Sequence, residues 1–464
     1  MPMEFIVPSV QIDESDVGAR PTPQMSLAGI GIVGTFEKGP INIPTTVGDV
    51  NQLIEKFGGY KAGLTGYLSA YAALQQGAND FKIVRIAGTG AKAASVILKD
   101  DGGEDSFIVS ASDPGVWGND IKLNIEENTS TFRLTIICGE AKETFSALTL
   151  ANLSIQSKFV TIAKLGNGNK LPKAVANVSL IGGNDGVAVM DADYIGTIDS
   201  STGFRTGLKA LEPVQVGIVL CAQQYSPAIQ SALLSFVENC DIEEGLRVAI
   251  LNTTPTLSVD AVVSQTTSLD SDRGILVYPW VEPEDLPGKF VAPDGYYAGR
   301  LSWLEPHKSP SNKQILGIIS CENNYTYAEV KALTMARISP ITLVNERGFR
   351  IRNGLTLASD PAWCQTNIRR QQDKMEMELY HAMQWAISEP HDERLWQDIA
   401  TQIDMYLQVQ KNLGLIRGYK PTLCNAQTNT PEMVTNRILT AIIRWLPLYA
   451  ADFIILRFKR ESSV

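Results

Sequence analysis

Gly29-Ile30-Gly31-Ile32-Val33-Gly34 matches G-x-G-x-x-G, a spacing that can bring backbone close to a pyrophosphate. In a dinucleotide site such glycines follow a strand and open a helix, whose first N–H groups hold the phosphates. Here they lie inside the apolar run itself, and Glu37-Lys38-Gly39-Pro40 follows as a turn. A buried strand containing glycines is therefore expected. A nucleotide- or dinucleotide-binding enzyme built on Gly29–Gly34 is the alternative. Gly182-Gly183-Asn184-Asp185-Gly186 lacks the Lys-Ser/Thr of a P-loop and reads as a turn at a domain boundary. A serine triad needs a base histidine beside a nucleophile and an orienting carboxylate. The histidines are His307, His381 and His391, and the sequence contains no G-x-S-x-G, no H-E-x-x-H and no Asp-rich calcium loop. Carboxylate pairs such as Glu243-Glu244 and Asp392-Glu393 suit a solvated face or a helix cap. The expectation is no enzyme, with no catalytic, cofactor-binding or metal-ligating residue.

The totals agree with a structural role. At 464 residues the chain exceeds one ordinary core. A formal charge of −10 argues against a partner held mainly through phosphates, so no nucleic acid is expected. No stretch has the roughly 18 uncharged apolar residues of a membrane span. The start, MPMEFIVPSVQIDES, has neither the basic nor the long apolar region of a secretory signal. Cys138, Cys221, Cys240, Cys321, Cys364 and Cys424 are far apart with no C-x-x-C pair, which fits reduced cytoplasmic thiols and no zinc site.

Local pattern then gives the elements. Residues 1–26 read as an extended arm broken by Pro2, Pro8, Pro21 and Pro23. In residues 27–90, helices are expected over Val50–Phe57 and Leu64–Gln76, and a strand over Asn79–Ile86. Residues 91–186 change to short alternating strands, Ser95–Leu98, Phe107–Ser110, Ile121–Glu126 and Phe132–Ile137, which predict an inserted small β-sandwich. Residues 187–345 return to α/β. Apolar strands are expected at Gln215–Cys221, Arg247–Leu251, Gly274–Tyr278 and Ile315–Ile319, with helices at Ser226–Val237 and Val259–Leu269. Such alternation predicts a mostly parallel sheet covered on both faces. In residues 346–447, helices are expected over Trp363–Ser388, with Ile368, Met375, Leu379 and Ile387 on one stripe, and over Asp392–Leu413. Arg437–Leu446 fits strand or helix equally. Residues 448–464 end in Asp452–Arg460, DFIILRFKR, a strand pattern too apolar to stay unpaired.

Taken together these segments resemble the sheath proteins of contractile tails, found in phages, tailocins and extracellular-type injection systems. The likeness runs through PSVQIDESDVGARPTPQMSLAGIGIVGTFEKGP, DPGVWGNDIKL, LIGGNDG and ILVYPWVE. Its most specific block is RIRNGLTLASDPAWCQTNIRRQQDKMEMELYHAMQWAISEPHDERLW, and it ends with GLIRGYKPTLCNAQTNTPEM and ADFIILRF. PDGYYAGRLSWLEPHKSPSNK departs from the aromatic-basic loop usual after the YPW strand, leaving the 287–313 loop atypical. The resemblance implies an α/β and α+β multidomain chain: a subtilisin-like α/β core without the catalytic triad, an inserted β-sandwich, and extended N- and C-terminal arms. It implies subunits in hexameric rings stacked around an inner tube, which contract with baseplate and tail-terminator or cap proteins as further partners. Assembly would take place in the cytoplasm, with no membrane insertion and no cofactor.

The arms would then link subunits. Candidate N-terminal residues are Phe5, Ile6, Val7, Val10 and Ile12. C-terminal ones are Phe453, Ile454, Ile455, Leu456 and Phe458. Residues 1–20 carry four acids (Glu4, Asp13, Glu14, Asp16) against Arg20, a net −3. Residues 437–464 carry Arg437, Arg444, Arg457, Lys459 and Arg460 against Asp452 and Glu461, a net +3. Opposite charge, with Glu4, Asp13 and Glu14 facing Arg457, Lys459 and Arg460, would fix register between the arms. Lys411, Arg417 and Lys420 are candidates to face the tube.

Overall fold

A computed structural model describes residues 22–149, 152–153, 155–165, 170–323 and 325–459. The N-terminal arm candidates Glu4, Phe5, Ile6, Val7, Val10, Ile12, Asp13 and Glu14, and Arg460, lie outside the described residues. The chain divides into two compact units, residues 26–374 with 449–459, and residues 22–25 with 375–448.

The larger unit begins with β1 (Ile30–Thr35), β2 (Thr45–Val47), α1 (Val50–Phe57), α2 (Gly66–Gln75) and β3 (Phe81–Ile86). Next come β4 (Ser95–Lys99), β5 (Asp105–Ala111), β6 (Lys122–Glu127), β7 (Phe132–Cys138), β8 (Ala141–Leu148), β9 (Val160–Lys164) and β10 (Val175–Ser179). Then follow α3 (Asp191–Ile195), β11 (Ile218–Cys221), α4 (Pro227–Glu238), β12 (Val248–Asn252), α5 (Val259–Thr266) and β13 (Gly274–Tyr278). The stretch closes with β14 (Val281–Pro283), α6 (Asp294–Trp303), β15 (Ile318–Cys321), α7 (Tyr327–Met335), β16 (Ile338–Val344) and β17 (Gly348–Ile351).

Eight strands form one sheet in the order β17-β16-β13-β12-β11-β1-β3-β2. Its interior pairs are parallel, and β2 and β17 close the edges antiparallel. Strands buried on both faces read as continuous apolar runs, and β1, β11, β12 and β13 do so. The glycine run lies in the apolar stretch as expected, Gly31 and Gly34 inside β1 and Gly29 just before it. A Cβ on Gly31 would meet Leu211 Cδ1 at 2.8 Å, and one on Gly34 would meet Gly66 Cα at 2.8 Å. The space these glycines open is filled by protein.

Two expectations fail here. The strand expected at Ile315–Ile319 does not enter the main sheet. Gln76 holds the Leu316 backbone from both sides, accepting from its N–H at 3.0 Å and donating to its carbonyl at 2.9 Å. Gly317 then turns with φ 78°, and β15 starts at Ile318 and pairs with β14 alone. β16, not foreseen, takes the place beside β13. The 287–313 segment is also not a plain surface loop, because Asp294–Trp303 is the buried helix α6. Gly295 and Gly299, four apart, bring its backbone onto α2, where a Cβ at 299 would meet the Ala73 carbonyl at 2.5 Å.

Residues 95–179 form two antiparallel sheets, β10-β6-β7-β8 and β4-β5-β9, around one core that includes Leu123, Leu134, Ile136 and the stacked rings of Phe107 and Phe132. β8 was not foreseen, because AKETFSAL sets Lys142, Glu143 and Thr144 in succession and so lacks a strict apolar–polar alternation. Arg85 on β3 ties these sheets to the main one. Its guanidinium is buried and donates to the carbonyls of Phe36 (3.1 Å), Gly39 (2.7 Å) and Pro114 (2.8 Å).

The smaller unit holds the end of α8 (Thr366–Ala382), then α9 (Glu393–Asn412), β18 (Gly418–Leu423), α10 (Pro431–Thr435) and β19 (Ile442–Leu446). Asp392 caps α9 by accepting from Leu395 N at 2.9 Å, and Gly414 stops it with φ 70°. Met375, Leu379, Leu395, Ile399, Ile403 and Leu407 share one core, as their spacing predicts. α8 is shorter than expected. It ends at Ala382, Ser388 takes φ 69°, and Ile387 is 66 % exposed and not on the core stripe. Of Arg437–Leu446, only Ile442–Leu446 is a strand. Asn429 grips Thr440 from both sides, accepting from its N–H at 2.7 Å and donating to its carbonyl at 3.1 Å, which keeps 437–441 irregular.

Candidate assembly interface

Among the buried carboxylates of the described residues, Asp294, at the first turn of α6, is fully enclosed. Its Oδ1 accepts from Ser69 Oγ (2.7 Å) and Gly295 N (2.6 Å), and its Oδ2 from Gln223 N (2.8 Å) and Asn252 Nδ2 (2.9 Å). Burial pushes this carboxyl above its ordinary range, while the four donors and the helix N-terminus oppose that. Both oxygens are saturated by protein donors, which suits a structural knot at the carboxyl end of β11 and β12. His307 lies by Glu305 (3.7 Å), and burial holds its imidazole below the usual value. His391 accepts from Trp396 Nε1 at 3.4 Å, and His381 lies edge-on to Tyr380. Among the described residues no group of three or more His, Cys, Asp or Glu could hold a metal, and no helix is long and apolar enough to cross a membrane.

The unpartnered surfaces are elsewhere. Phe453, Ile454, Ile455, Leu456 and Phe458 are 91 %, 81 %, 77 %, 73 % and 93 % exposed. Residues 453–459 form no helix or strand, and their backbone groups have no hydrogen-bond partner among the described residues. Of the strand expected at Asp452–Arg460, the described residues 452–459 therefore form no strand with other described residues. Its root is tethered, with Ala450 N donating to Gln365 Oε1 at 3.4 Å. Arg457 and Lys459 are exposed without an ion pair among the described residues.

In the smaller unit, β18 and β19 form a two-stranded antiparallel sheet of their own. Ile442, Ile443 and Leu446 on β19 are 43 %, 37 % and 53 % exposed. These three were not singled out in the sequence, where the only signal was an Ile-Ile pair beside Arg444. Lys411 ends α9, Arg417 precedes β18 and Lys420 lies in it, all exposed. Lys420 stands directly opposite Arg444 across the hairpin. Like charges in that position repel. A groove of about 560 Å³ runs along α9, with Met405, Val409 and Leu413 each more than half exposed along it.

Residues 188–357, which span β11 to β17, match the model of the phage tail sheath protein central domain. The curated tail sheath protein of Burkholderia phage BcepMu is 23 % identical, covering 93 % of this chain and 92 % of that protein. Among solved structures, the sheath tail protein of Listeria innocua shares the fold with a TM-score of 0.68 at 18 % identity, over 88 % of this chain and 90 % of that one. The sheath of the extracellular contractile injection system PVC, solved in the contracted state, has a TM-score of 0.60 at 13 % identity over 99 % of both chains. The chain thus resembles contractile tail sheath proteins, by the central-domain match over residues 188–357 and by a likeness in sequence and fold over nearly its whole length.

Proposed function

We propose that this protein is the sheath subunit of a contractile particle, a phage tail or a related injection device. It polymerises as stacked hexameric rings around an inner tube and contracts to drive the tube through a target envelope. One observation carries this: the apolar segment 453–458 stands exposed with its backbone unpaired among the described residues, while β18 and β19 form a sheet of only two described strands. A strand donated from one copy to the hairpin of the next satisfies both. The relatives' sheath assemblies support the same reading. The electron micrograph of the purified protein should contain striated tubes or cogwheel rings. A chain that stays monodisperse at high concentration would sink the proposal.

Finer features follow from it. The main sheet with its helices is the subtilisin-like core, made from residues 27–90 and 187–345. Residues 91–186 are the inserted domain and 346–447 the C-terminal sheath domain. The acidic N-terminal arm joins the same linkage. Baseplate and terminator proteins meet the ends of the polymer, and the chemistry of contraction needs no cofactor. Extended and contracted sheaths are two packings of the same subunits, joined throughout by the arms.

Lys411, Arg417 and Lys420 face the tube in this reading. Replacing all three with Glu should leave the polymer intact and weaken its hold on tubes, read as co-sedimentation. Each exposed contact of this kind is worth about 1 kcal/mol or less, so the triple change is needed for an effect on the order of tenfold or more. Normal tube binding by the triple variant would remove these residues from the interface.

A further inference from the structure

The outer edge of the main sheet, at β17, is covered by its own chain. Asn312 N donates to the Ile351 carbonyl at 2.8 Å, Ile315 N to the Phe349 carbonyl at 2.9 Å, and Ile351 N back to the Lys313 carbonyl at 3.0 Å. With those backbone groups taken, what this edge offers a partner is side chains. They are mostly basic. Asn312, at φ 59°, gathers two of them: its carbonyl accepts from Arg350 Nη1 at 2.6 Å, and its Oδ1 from Arg347 Nη2 at 3.2 Å. Arg350 Nε also donates to the Arg347 carbonyl at 3.1 Å. Neutral oxygens thus fix both guanidinium groups without cancelling their charge. Arg300, on the last turn of α6, joins them. Burial first, and then the charge of Arg350, holds its guanidinium below the ordinary range. Arg300 lies 4.9 Å from the centre of the Trp303 ring, and its Nε has no hydrogen-bond partner among the described residues.

Trp303 and Leu316 beside these arginines are 61 % and 50 % exposed. They are neighbours through Gln76, which holds the Leu316 backbone, and Gly77, where a Cβ would meet the Trp303 ring at 3.3 Å. Arg300, Lys313, Arg347 and Arg350 have no ion pair among the described residues. Stretches 300–303, 312–316 and 346–350 hold these four bases against one acid, Glu346, a net +3. The whole chain carries −10, so the remainder carries −13.

We propose that this patch docks the acidic surface of a second copy of the chain, which rests on the reading of the protein as a self-assembling subunit. Exposed tryptophan and arginine together are the side chains that anchor interfaces. Charge selects the partner, because every other part of the same molecule is acidic on average. Two such patches cannot face each other across a two-fold axis, where like charges would meet. The contact is therefore between unlike faces, and a contact of that kind propagates into an open polymer rather than closing a dimer. It joins folded bodies side chain to side chain, with no exchange of strands.

The test uses the purified full chain. Lys313→Glu combined with Arg347→Glu should raise the critical concentration for assembly on the order of tenfold, with an unchanged unfolding midpoint. Added salt should narrow the gap between the variant and the unaltered chain. Trp303→Ala, which keeps every charge, should raise the critical concentration as well. A water-soluble carbodiimide, which joins an amine to a carboxylate in contact with it, then maps the partner. In assemblies of mixed heavy-nitrogen-labelled and unlabelled copies, mixed-isotope adducts from Lys313 to an Asp or Glu of a second copy are expected. Unaltered critical concentrations in both variants, or Lys313 adducts only within one copy, overturn the patch and leave self-assembly standing. An unaltered chain that never assembles overturns the proposed function itself.

Discussion

Deleting residues 453–464 should leave a folded chain that no longer polymerises. None of the large side chains in 453–458 is buried, so the fold loses no core packing with them. In the polymer the sign reverses. Five large apolar side chains contribute about 1.5–3 kcal/mol each when covered. Ordering the segment costs about 1–2 kcal/mol per residue of backbone freedom. A few kcal/mol per joint remain, and loss of that lowers association on the order of 10²-fold or more at every joint. Because each subunit depends on several joints, the polymer should vanish at concentrations where the intact chain forms it. Sedimentation and electron microscopy read this out, with circular dichroism confirming the fold. Long sheaths from the truncated chain would refute the arm mechanism. Ile455→Asp, which keeps the length, should act in the same direction.

The second large effect is expected far from that surface, at Asp294. Asp294→Ala orphans Ser69 Oγ, the N–H groups of Gln223 and Gly295, and Asn252 Nδ2 inside a site without water access. Each buried donor left unsatisfied costs about 1–3 kcal/mol, so a total of about 4 kcal/mol or more is expected. Asp294→Asn should rescue little. Donors converge on both carboxylate oxygens, and either orientation of the amide sets an NH₂ against two of them. The urea midpoint of the larger unit's transition measures the change. A shift within error for the alanine variant would mean that the four donors find other partners.

These two sites differ in how far the sequence announced them. The C-terminal arm was legible because Phe453-Ile454-Ile455-Leu456 has strand composition with no local partner. The strands β11, β12 and β13 were legible because burial on both faces leaves uninterrupted apolar runs. α6 was not. Gly295 and Gly299 depress helix propensity, and only their close packing on α2 makes the helix form, a tertiary fact. Asp294 hides for the same reason, as its partners Ser69, Gln223 and Asn252 are distant in the chain. β15 was misplaced because Ile315–Ile319 is apolar throughout, and nothing local reveals that Gln76 holds Leu316.

The position of β1 has a consequence for synthesis. It pairs with β3 on one side and β11 on the other, Ile30 standing opposite both Phe81 and Ile218. At the ribosome β3 follows soon after β1, but β11 emerges roughly 190 residues after it, or about 10–40 s at ordinary elongation rates. During that interval one edge of β1 stands bare while the two sheets of residues 95–179 are completed with short-range contacts of their own. The interruption thus makes the middle of the chain the first part able to fold. The nascent β1–β3 pair is the piece in need of chaperone cover until β11 arrives.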